Sequence, residues 1–556
     1  MYLFENPVLQ RELLVNLRMK RAFVLLFFFN AVLGAVVYFA WPQERQLDLT
    51  QSPEQTKRLI NLFFLGQYLL AALMSPSFAA GSLTGEKERK TYEMLLASPL
   101  RPAAIVLGKL LASLAHLAIL IFCSLPIVML CLPLGGVSLY EVLAMYLALV
   151  LSVSTFGMIS LACSSFFQRT AASLVVSYLL ILPLAMIGVL FWSAFGSEGK
   201  LRLFMAVTLV PAACAMLTIG LFANTIRRLL HPPDVGSEGK DVVDVEHETK
   251  HSVGLVIQRD QFPDRLFAPA KRVDLLPDGA NPVFDKEMRS EIFSQGTLML
   301  RVVIQVSMFL AIPLMAVCLF VSPSWAPWYI SYVVLFNMLV GPVFSAGSVT
   351  SERERETLDL LLTTIISPWQ ILWGKLISGL RVSSVLTGFL LWPVILACVM
   401  PVGFWNNLPA VGAYLLLVVT TCLTTATIAL FCSVLFRKTS VSLMTTYLTI
   451  VLLFTAPLAI RFFAETFFPN APAAKVVRQL GVASPFAAAF AVPLNRGERD
   501  SRPVFDNGPG IAGSAVASNA EEWQLYFGHL LFVTLLNVIL LGTMVSLFNT
   551  RWRVSE

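Results

Sequence analysis

Long apolar runs dominate this sequence and constrain its fold more than any other feature. Twelve runs of about 20 or more mostly apolar residues are separated by short stretches that hold most of the charged residues. A run of that length can cross the hydrocarbon core of a bilayer as one helix. With 57% hydrophobic and 13% charged residues, the chain is more apolar than a water-soluble domain, which carries roughly 25% charged residues. We therefore predict an all-α polytopic membrane protein with about 12 transmembrane helices.

The candidate spans divide evenly between the two halves of the chain. Those of the first half lie at 22–41, 59–80, 103–131, 139–166, 171–195 and 201–226, and those of the second at 298–321, 328–347, 369–400, 409–435, 441–464 and 524–548. The run at 22–41 lacks a clear small-residue cleavage site, so we expect a retained span rather than a signal peptide.

The distribution of Lys and Arg between loops predicts the orientation. The loops 132–139, 322–328 and 401–408 contain neither residue, whereas the alternate loops all contain Arg, some with Lys as well. Because cytoplasmic loops carry the excess of Lys and Arg, we place the N- and C-termini and the central linker in the cytoplasm, and the protein in the plasma (inner) membrane. The net charge of +6 is mild, and we expect no nucleic-acid partner.

An internal repeat relates the two halves. Residues 76–110 align with 342–376 without a gap, with 17 identities in 35 positions. The match extends upstream, where Asn6-Pro7-Val8 corresponds to Asn281-Pro282-Val283. Since six spans per copy is an even number, both copies insert in the same sense, as two parallel six-helix repeats with a pathway between them.

The repeat defines three predicted regions: a first half at 1–228, a cytoplasmic linker at 229–280, and a second half at 281–556. The linker is rich in Pro, Gly and acidic residues, which is typical of a disordered tether. The second half also contains an outer loop, 465–523, much longer than its first-half counterpart. Within that loop, 479–494 is apolar but short, and we expect it to lie on the membrane surface.

A charged segment after the second span of each half is the most informative repeated motif. Residues 86–90 read EKERK and residues 352–356 read ERERE, and leucines follow in both copies. This pattern predicts a short helix on the cytoplasmic surface, with its leucines against the bundle. A solvated positive-inside loop would explain the cations but not the repeated acids, Gly, Ser and Thr. The repeat favours a docking function.

The segment around each Asn-Pro-Val motif interleaves charged and apolar residues. It predicts an interfacial amphipathic helix that enters a span. Two roles stay open for this helix, namely a lipid-surface anchor and a part in transmitting motion.

This arrangement resembles the type-2 ABC transporter permeases. Their half-unit has an N-terminal interfacial helix, six spans and a charged coupling helix between spans two and three. The pattern AGS(L/V)T(G/S)E(K/R)ER(K/E)T, followed by LL, is similar to their coupling segment and occurs twice here. The resemblance covers nearly the whole chain except the linker and the outer loop, with both halves fused in one polypeptide.

The resemblance implies a permease that exports its substrate and is driven by a separate cytoplasmic ATPase. Two copies of that ATPase would engage the two coupling helices and bind ATP and Mg. The implied ATPase-coupling residues are Glu86, Glu88, Arg89, Glu352, Glu354 and Arg355. The sequence itself lacks a G-x-x-x-x-G-K-[ST] phosphate loop. We therefore expect a non-catalytic chain that holds no cofactor and moves an unknown substrate.

Two other classes of protein stay open at this point. His247-Glu248-Thr249-Lys250-His251 matches the H-E-x-x-H pattern of zinc proteases, but it lies in the acidic linker beside a lysine, where a chance match is the better interpretation. A secondary transporter also shows parallel repeats, although it would need more ionisable groups in mid-membrane than this chain has. The eight cysteines lack metal-ligand spacing, and we predict no metal site.

Polar residues inside spans are costly and therefore suggest function. Four such residues form aligned or nearly aligned pairs between the halves: Asn30 with Gln305, and His116 with Arg381, which is one position from exact alignment. They are candidates for lining the pathway. The alternatives are polar contacts between helices and an arginine that extends to the inner surface.

Overall fold

The architecture is taken from a computed structural model of the 556-residue chain. It describes residues 6–17, 52–131, 137–167, 170–194, 199–230, 281–289, 326–354, 356–399, 408–467, 479–492 and 519–554, with single positions within 27–38 and at 305 and 309. The chain divides into two compact units, Met1–Asp241 and Val242–Glu556. The described residues are helical or irregular, without a β-strand, so the predicted all-α class is confirmed.

Nine helices form the described part of the first unit. They are α1 (Pro7–Leu17), α2 (Ser52–Ala79), α3 (Gly81–Glu88), α4 (Tyr92–Leu96), α5 (Pro102–Cys131), α6 (Leu139–Phe166), α7 (Thr170–Ala194), α8 (Gly199–Val207) and α9 (Leu209–Leu230). Helix α6 is central and packs against α2, α5, α7 and α9.

The second unit repeats this order. Its helices are α10 (Pro282–Arg289), α11 (Ala326–Ser345), α12 (Thr350–Glu354), α13 (Leu358–Leu362), α14 (Pro368–Val399), α15 (Leu408–Leu435), α16 (Thr439–Ile450), α17 (Ala456–Phe467), α18 (Pro485–Ala491) and α19 (Asn519–Val554). Helix α15 takes the central place and packs against α11, α14, α16 and α19.

Ten helices of the described residues are long and apolar enough to cross a membrane. They coincide with ten of the twelve predicted spans. The other two predictions, 22–41 and 298–321, lie largely outside the described residues, as does the predicted linker from residue 231 onward. Residues 229 and 230, which we assigned to the linker, instead complete the last turn of α9.

Local sequence explains where several spans begin and bend. Helices α5 and α14 both begin at a proline, which suits the first helical position because its missing N–H would have no intrahelical partner there. A turn at Thr208 separates α8 from α9, three residues before Pro211, and a π-helical turn at Val451–Thr455 precedes α17, which contains Pro457. Each proline removes one backbone donor from its helix.

The outer segment of the second half differs from our expectation. Residues 481–483 form a 3₁₀ turn and α18 follows, with Ala487, Ala488 and Ala489 buried. Helix α18 packs against α11, α15 and α19, and His529 Nδ1 lies 2.9 Å from the Val482 carbonyl oxygen. Small alanines permit this close approach, so the segment is buried among spans instead of lying on the membrane surface.

Candidate functional site

The charged segment folds as two short helices joined by a sharp reversal in each half. Lys90 separates α3 from α4 with a φ of 58°, and Glu356 separates α12 from α13 with the same φ. Residues other than Gly, Asn and Asp seldom adopt this left-handed conformation. The same strained turn at the same place in both halves indicates that the reversal has a function.

A buried lysine lies beneath the charged segment of the first half. Lys109, at the start of α5, has a side chain that is 3% exposed, and its Nζ lies 3.3 Å from both Glu12 Oε1 and Glu86 Oε1. It also donates a hydrogen bond of 2.8 Å to the Ser82 carbonyl oxygen. We call these residues the Lys109 cluster. It joins α1, α3 and α5 at a single ammonium group.

The second half contains the same cluster at the aligned positions. Lys375 is 1% exposed, and its Nζ lies 2.7 Å from Glu287 Oε1 and 3.6 Å from Glu352 Oε1. It donates a 2.7 Å hydrogen bond to the Ser348 carbonyl oxygen, and Lys286 lies 2.8 Å from the same Glu352 oxygen. We call this the Lys375 cluster. A buried ammonium needs such compensation, because an unpaired charge is costly to remove from water.

The same acids also fix the turn after the helix. Glu86 Oε2 accepts a hydrogen bond from the Thr91 hydroxyl, and Glu352 Oε2 accepts one from the Thr357 hydroxyl. The backbone N–H of each threonine donates to the carbonyl oxygen of the same glutamate at 2.9 Å. One carboxylate per half therefore joins the buried lysine to the left-handed turn.

An asparagine anchors each interfacial helix to the same span. Asn6 Nδ2 donates to the Ala104 carbonyl oxygen at 2.5 Å, and Asn281 Nδ2 donates to that of Gln370 at 2.7 Å. In each case the amide oxygen accepts the N–H two residues on, at 3.0 Å. A glycine faces the amide, since a Cβ at Gly108 would lie 2.7 Å from Asn6 Nδ2.

The second acid of the segment holds the start of the next span. Glu88 Oε1 accepts from Thr170 N at 2.8 Å and from its Oγ1 at 2.9 Å, where α7 begins. Glu354 makes the same pair of hydrogen bonds to Thr439, each 2.8 Å, where α16 begins. A carboxylate at a helix N-terminus satisfies a free N–H and stabilises the helix dipole.

The end of the central span is tied to the segment as well. Ser164 Oγ accepts from Leu83 N and Thr84 N at 3.0 and 2.9 Å, and Ser433 Oγ accepts from the equivalent two amides of α12 and the turn before it. Lys87 donates to three carbonyl oxygens at the end of α6, and Arg353 donates to that of Phe436. Unpaired carbonyls at a helix C-terminus favour such cations.

Apolar side chains point outward just beyond the strained turn. Met94 in α4 is 74% exposed and Leu360 in α13 is 69% exposed. Glu93 and Asp359 precede them and are exposed too. We refer to these four residues as the tips of the two segments.

The predicted coupling residues therefore occupy different environments. Glu86 and Glu352 are half-buried or buried and face the lysines, while Glu88 and Glu354 hold the next span. Arg89 is exposed, and Arg355 lies outside the described residues. Contact with an ATPase stays a prediction for all six.

The four candidate pathway residues lie outside the Lys109 and Lys375 clusters, and their environments differ from one another. His116 stacks on Phe78 with ring centres 5.7 Å apart. Asn30 and Arg381 are half-buried, and Gln305 is exposed. Their role in lining a pathway stays a prediction. The His247-Glu248-His251 motif lies outside the described residues.

Sequence reasoning missed a polar cluster inside the second half. Asn337 Nδ2 donates to Thr387 Oγ1 at 2.9 Å and to Ser383 Oγ at 3.3 Å, and Asn337 Oδ1 accepts from Thr425 Oγ1 at 3.1 Å. All four residues are buried. Ala71 stands at the first-half position aligned with Asn337, so the repeat held no signal for this cluster.

The described residues contain no group of three or more His, Cys, Asp or Glu that could hold a metal ion. The site instead consists of a surface segment that is hydrogen-bonded to the ends of several spans, and it occurs twice in the chain.

Residues 7–202 and 256–551 match the family described as ABC-2 family transporter protein. The chain belongs to the ABC-2 transporter family. Proteins of this family are membrane transport components of ABC systems and are not themselves catalytic. No curated protein sequence matches this ABC-2 chain significantly.

Proposed function

We propose that this ABC-2 chain is a fused permease that exports its substrate when a separate cytoplasmic ATPase drives it. Two copies of the ATPase would bind ATP and Mg and engage the two charged segments from the cytoplasm, at the plasma membrane. The observation that carries this proposal is the Lys109 cluster and its repetition as the Lys375 cluster. The outward direction rests on the family resemblance.

The contacts of the segment explain how a push on it would reach the spans. Lys109 connects it to α1 and α5, Ser164 and Lys87 connect it to α6, and Glu88 connects it to α7. A displacement of the segment therefore acts on the ends of three spans and the interfacial helix together. Packed elements joined in this way move as rigid bodies and change position discretely.

We propose the tips as the surface that the ATPase contacts. Met94 and Leu360 are large apolar side chains in water-facing positions beside an acid in each half. An exposed apolar residue at the centre of a polar rim is the usual composition of a protein interface. In this proposal Glu86, Glu88, Glu352 and Glu354 transmit force inside the permease, and Arg89 lies at the rim.

Substitution at the tips tests the partner contact. The chain is coexpressed with ATPases encoded in neighbouring genes, purified in detergent and assayed for ATP hydrolysis. We expect Met94→Glu with Leu360→Glu to abolish copurification of the ATPase. Lys438→Glu is the matched control, since Lys438 is exposed at another predicted cytoplasmic loop. Retention of the ATPase by the double variant would contradict the proposed contact.

Labelling of single cysteines tests the orientation independently. Lys90 and Ser138 are both exposed, and the predicted topology puts them on opposite sides of the membrane. In a cysteine-free background, Lys90→Cys should react with an impermeant maleimide in inside-out vesicles, and Ser138→Cys should react in right-side-out vesicles. The reverse result would place the charged segments outside and exclude a cytoplasmic ATPase partner.

A further inference from the structure

A corner of the first half gathers cationic and aromatic groups, of which the proposed coupling mechanism uses only Lys87. The Arg228 guanidinium carbon lies 3.8 Å from the centre of the Phe166 ring, and Lys87 Nζ lies 5.4 Å from the centre of the Tyr92 ring. Arg228 interacts electrostatically with both Lys87 and Tyr92. We call Lys87, Tyr92, Phe166 and Arg228 the basic corner.

The two cations of the basic corner lack a counter-charge among the described residues. Neither Lys87 nor Arg228 forms an ion pair with a described carboxylate. The two acids adjacent to Lys87 in sequence are engaged elsewhere, Glu86 by Lys109 and Glu88 by Thr170. Like charges that share a site repel, so the corner favours an anion.

The hydrogen-bonding capacity of the corner lies in Arg228 and Tyr92. Lys87 has three N–H groups and donates to three carbonyl oxygens, so it contributes charge alone. Arg228 Nε is shielded from solvent without an acceptor, and the guanidinium has further N–H groups beside it. Burial raises the pKa of the Tyr92 phenol above its ordinary value, so the phenol stays a donor at neutral pH.

The second half differs from this corner at the position of the tyrosine. Leu358 aligns with Tyr92 and packs against a buried cluster that includes Val434 and Phe548. Arg353 replaces Lys87 and bonds to the end of α15. The aligned position of the second half thus carries no phenol, so Tyr92 is not a structural requirement of the fold.

The position of the corner identifies the class of anion. Arg228 lies in the last turn of α9, a span whose side chains are mostly exposed in this unit, and Phe166 is also exposed. The positive-inside count puts this end at the cytoplasmic headgroup region, where basic pockets between spans bind anionic lipids. A guanidinium matches a phosphate with two parallel hydrogen bonds.

We propose that the basic corner binds the phosphate of an anionic phospholipid from the cytoplasmic leaflet. Arg228 donates to the phosphate oxygens, Tyr92 adds a hydroxyl donor, and Lys87 supplies charge. The lipid chains lie beside Phe166. This proposal does not depend on an ATPase partner, because it concerns the isolated permease.

Native mass spectrometry of the purified full chain tests the proposal. Dioleoylphosphatidylglycerol and dioleoylphosphatidylcholine are titrated separately onto the delipidated protein in detergent. We expect Arg228→Gln to raise the dissociation constant for phosphatidylglycerol about fivefold, the effect of one basic residue at a membrane surface, with no change for phosphatidylcholine. Arg227→Gln is the matched control, because Arg227 is an exposed neighbour with the same charge.

Further variants separate lipid binding from folding and from other anions. Arg228→Lys keeps the charge but loses the paired donors, and Tyr92→Leu copies the second half; both should weaken phosphatidylglycerol binding even if Arg228→Gln fails to fold. Millimolar inorganic phosphate should not displace the lipid. Equal loss in Arg227→Gln and Arg228→Gln, full displacement by phosphate, or unchanged lipid binding in the folded Arg228→Lys and Tyr92→Leu variants would overturn the proposal.

Discussion

Replacing Lys375 with methionine is the sharpest test of the buried clusters. Methionine keeps the length of the side chain but removes the ammonium, leaving Glu287 and Glu352 together with side chains 17% and 11% exposed. The Ser348 carbonyl oxygen also loses its donor. The variant thus leaves Glu287 without its lysine, while Glu352 keeps only the exposed Lys286 as a partner.

The distances from Lys375 Nζ to the two carboxylates set the expected loss in the free energy of unfolding. With an effective dielectric constant of about 20, charges at 2.7 and 3.6 Å attract by about 11 kcal/mol in sum. The desolvation of the lysine offsets most of this attraction, and removal of one partner from a buried pair costs about 3 to 5 kcal/mol. We expect Lys375→Met to lie in that range. Lys109→Met should cost less, since Glu12 and Glu86 are 33% and 21% exposed and keep more hydration.

The assay is the free energy of unfolding from SDS titration in mixed micelles. A triple variant, Lys375→Met with Glu287→Gln and Glu352→Gln, also removes the two carboxylate charges and should recover most of the loss. This recovery separates electrostatics from the shape of the side chain. If Lys375→Met is within about 1 kcal/mol of the parent protein, or if the triple variant is no more stable than the single one, the cluster does not hold the helices together as we infer.

Three further perturbations test other contacts. Gly374→Ala should lower the melting temperature, because its Cβ would lie 3.2 Å from the Phe284 backbone nitrogen, whereas Gly412→Ala, with nothing within 4 Å, should not. Asn337→Leu should cost about 1 to 2 kcal/mol in the same SDS titration, since it removes the amide that bonds three buried hydroxyls, of which Thr387 and Thr425 keep only their backbone carbonyl acceptors; no loss would mean that the amide does not stabilise the bundle. Glu354→Gln should speed amide hydrogen exchange at the start of α16, where its carboxylate caps the helix, and unchanged exchange would contradict that role.

The span pattern and the repeat were predictable from sequence because both depend on local composition. Apolar runs of about 20 residues identify membrane helices independently of their packing, and the ten described spans fall where the runs do. The identity between residues 76–110 and 342–376 also located the charged segment. Hydropathy does not report how a short apolar segment packs, so the burial of α18 was not predicted.

The direction in which each charged side chain points was not predictable from the motif. Glu86 and Glu88 are two residues apart, yet one faces a buried lysine and the other caps α7. The difference depends on the left-handed turn at Lys90 and on the position of α5, neither of which local propensity encodes. The repeated Gly-Lys pairs, 108–109 and 374–375, were the available signal, but a repeated lysine near the start of a span does not identify the carboxylates that pair with it.

The two halves are alike at the charged segments, where the proposed ATPase would bind, and differ deeper in the bundle. The Lys109 and Lys375 clusters bond the same elements at aligned positions, as two copies of one ATPase would require. Deeper in the bundle, Asn337 and its hydroxyl partners replace apolar residues such as Ala71. In the function that we propose, two copies of one ATPase require matching inner ends in both halves but place no such constraint on the interiors. This proposal predicts that exchanging the charged segments between the halves preserves ATPase coupling, while introducing Ala71→Asn into the first half changes transport without affecting ATPase binding, as measured by copurification and vesicle uptake. Loss of coupling on segment exchange would show that the two halves engage different partners.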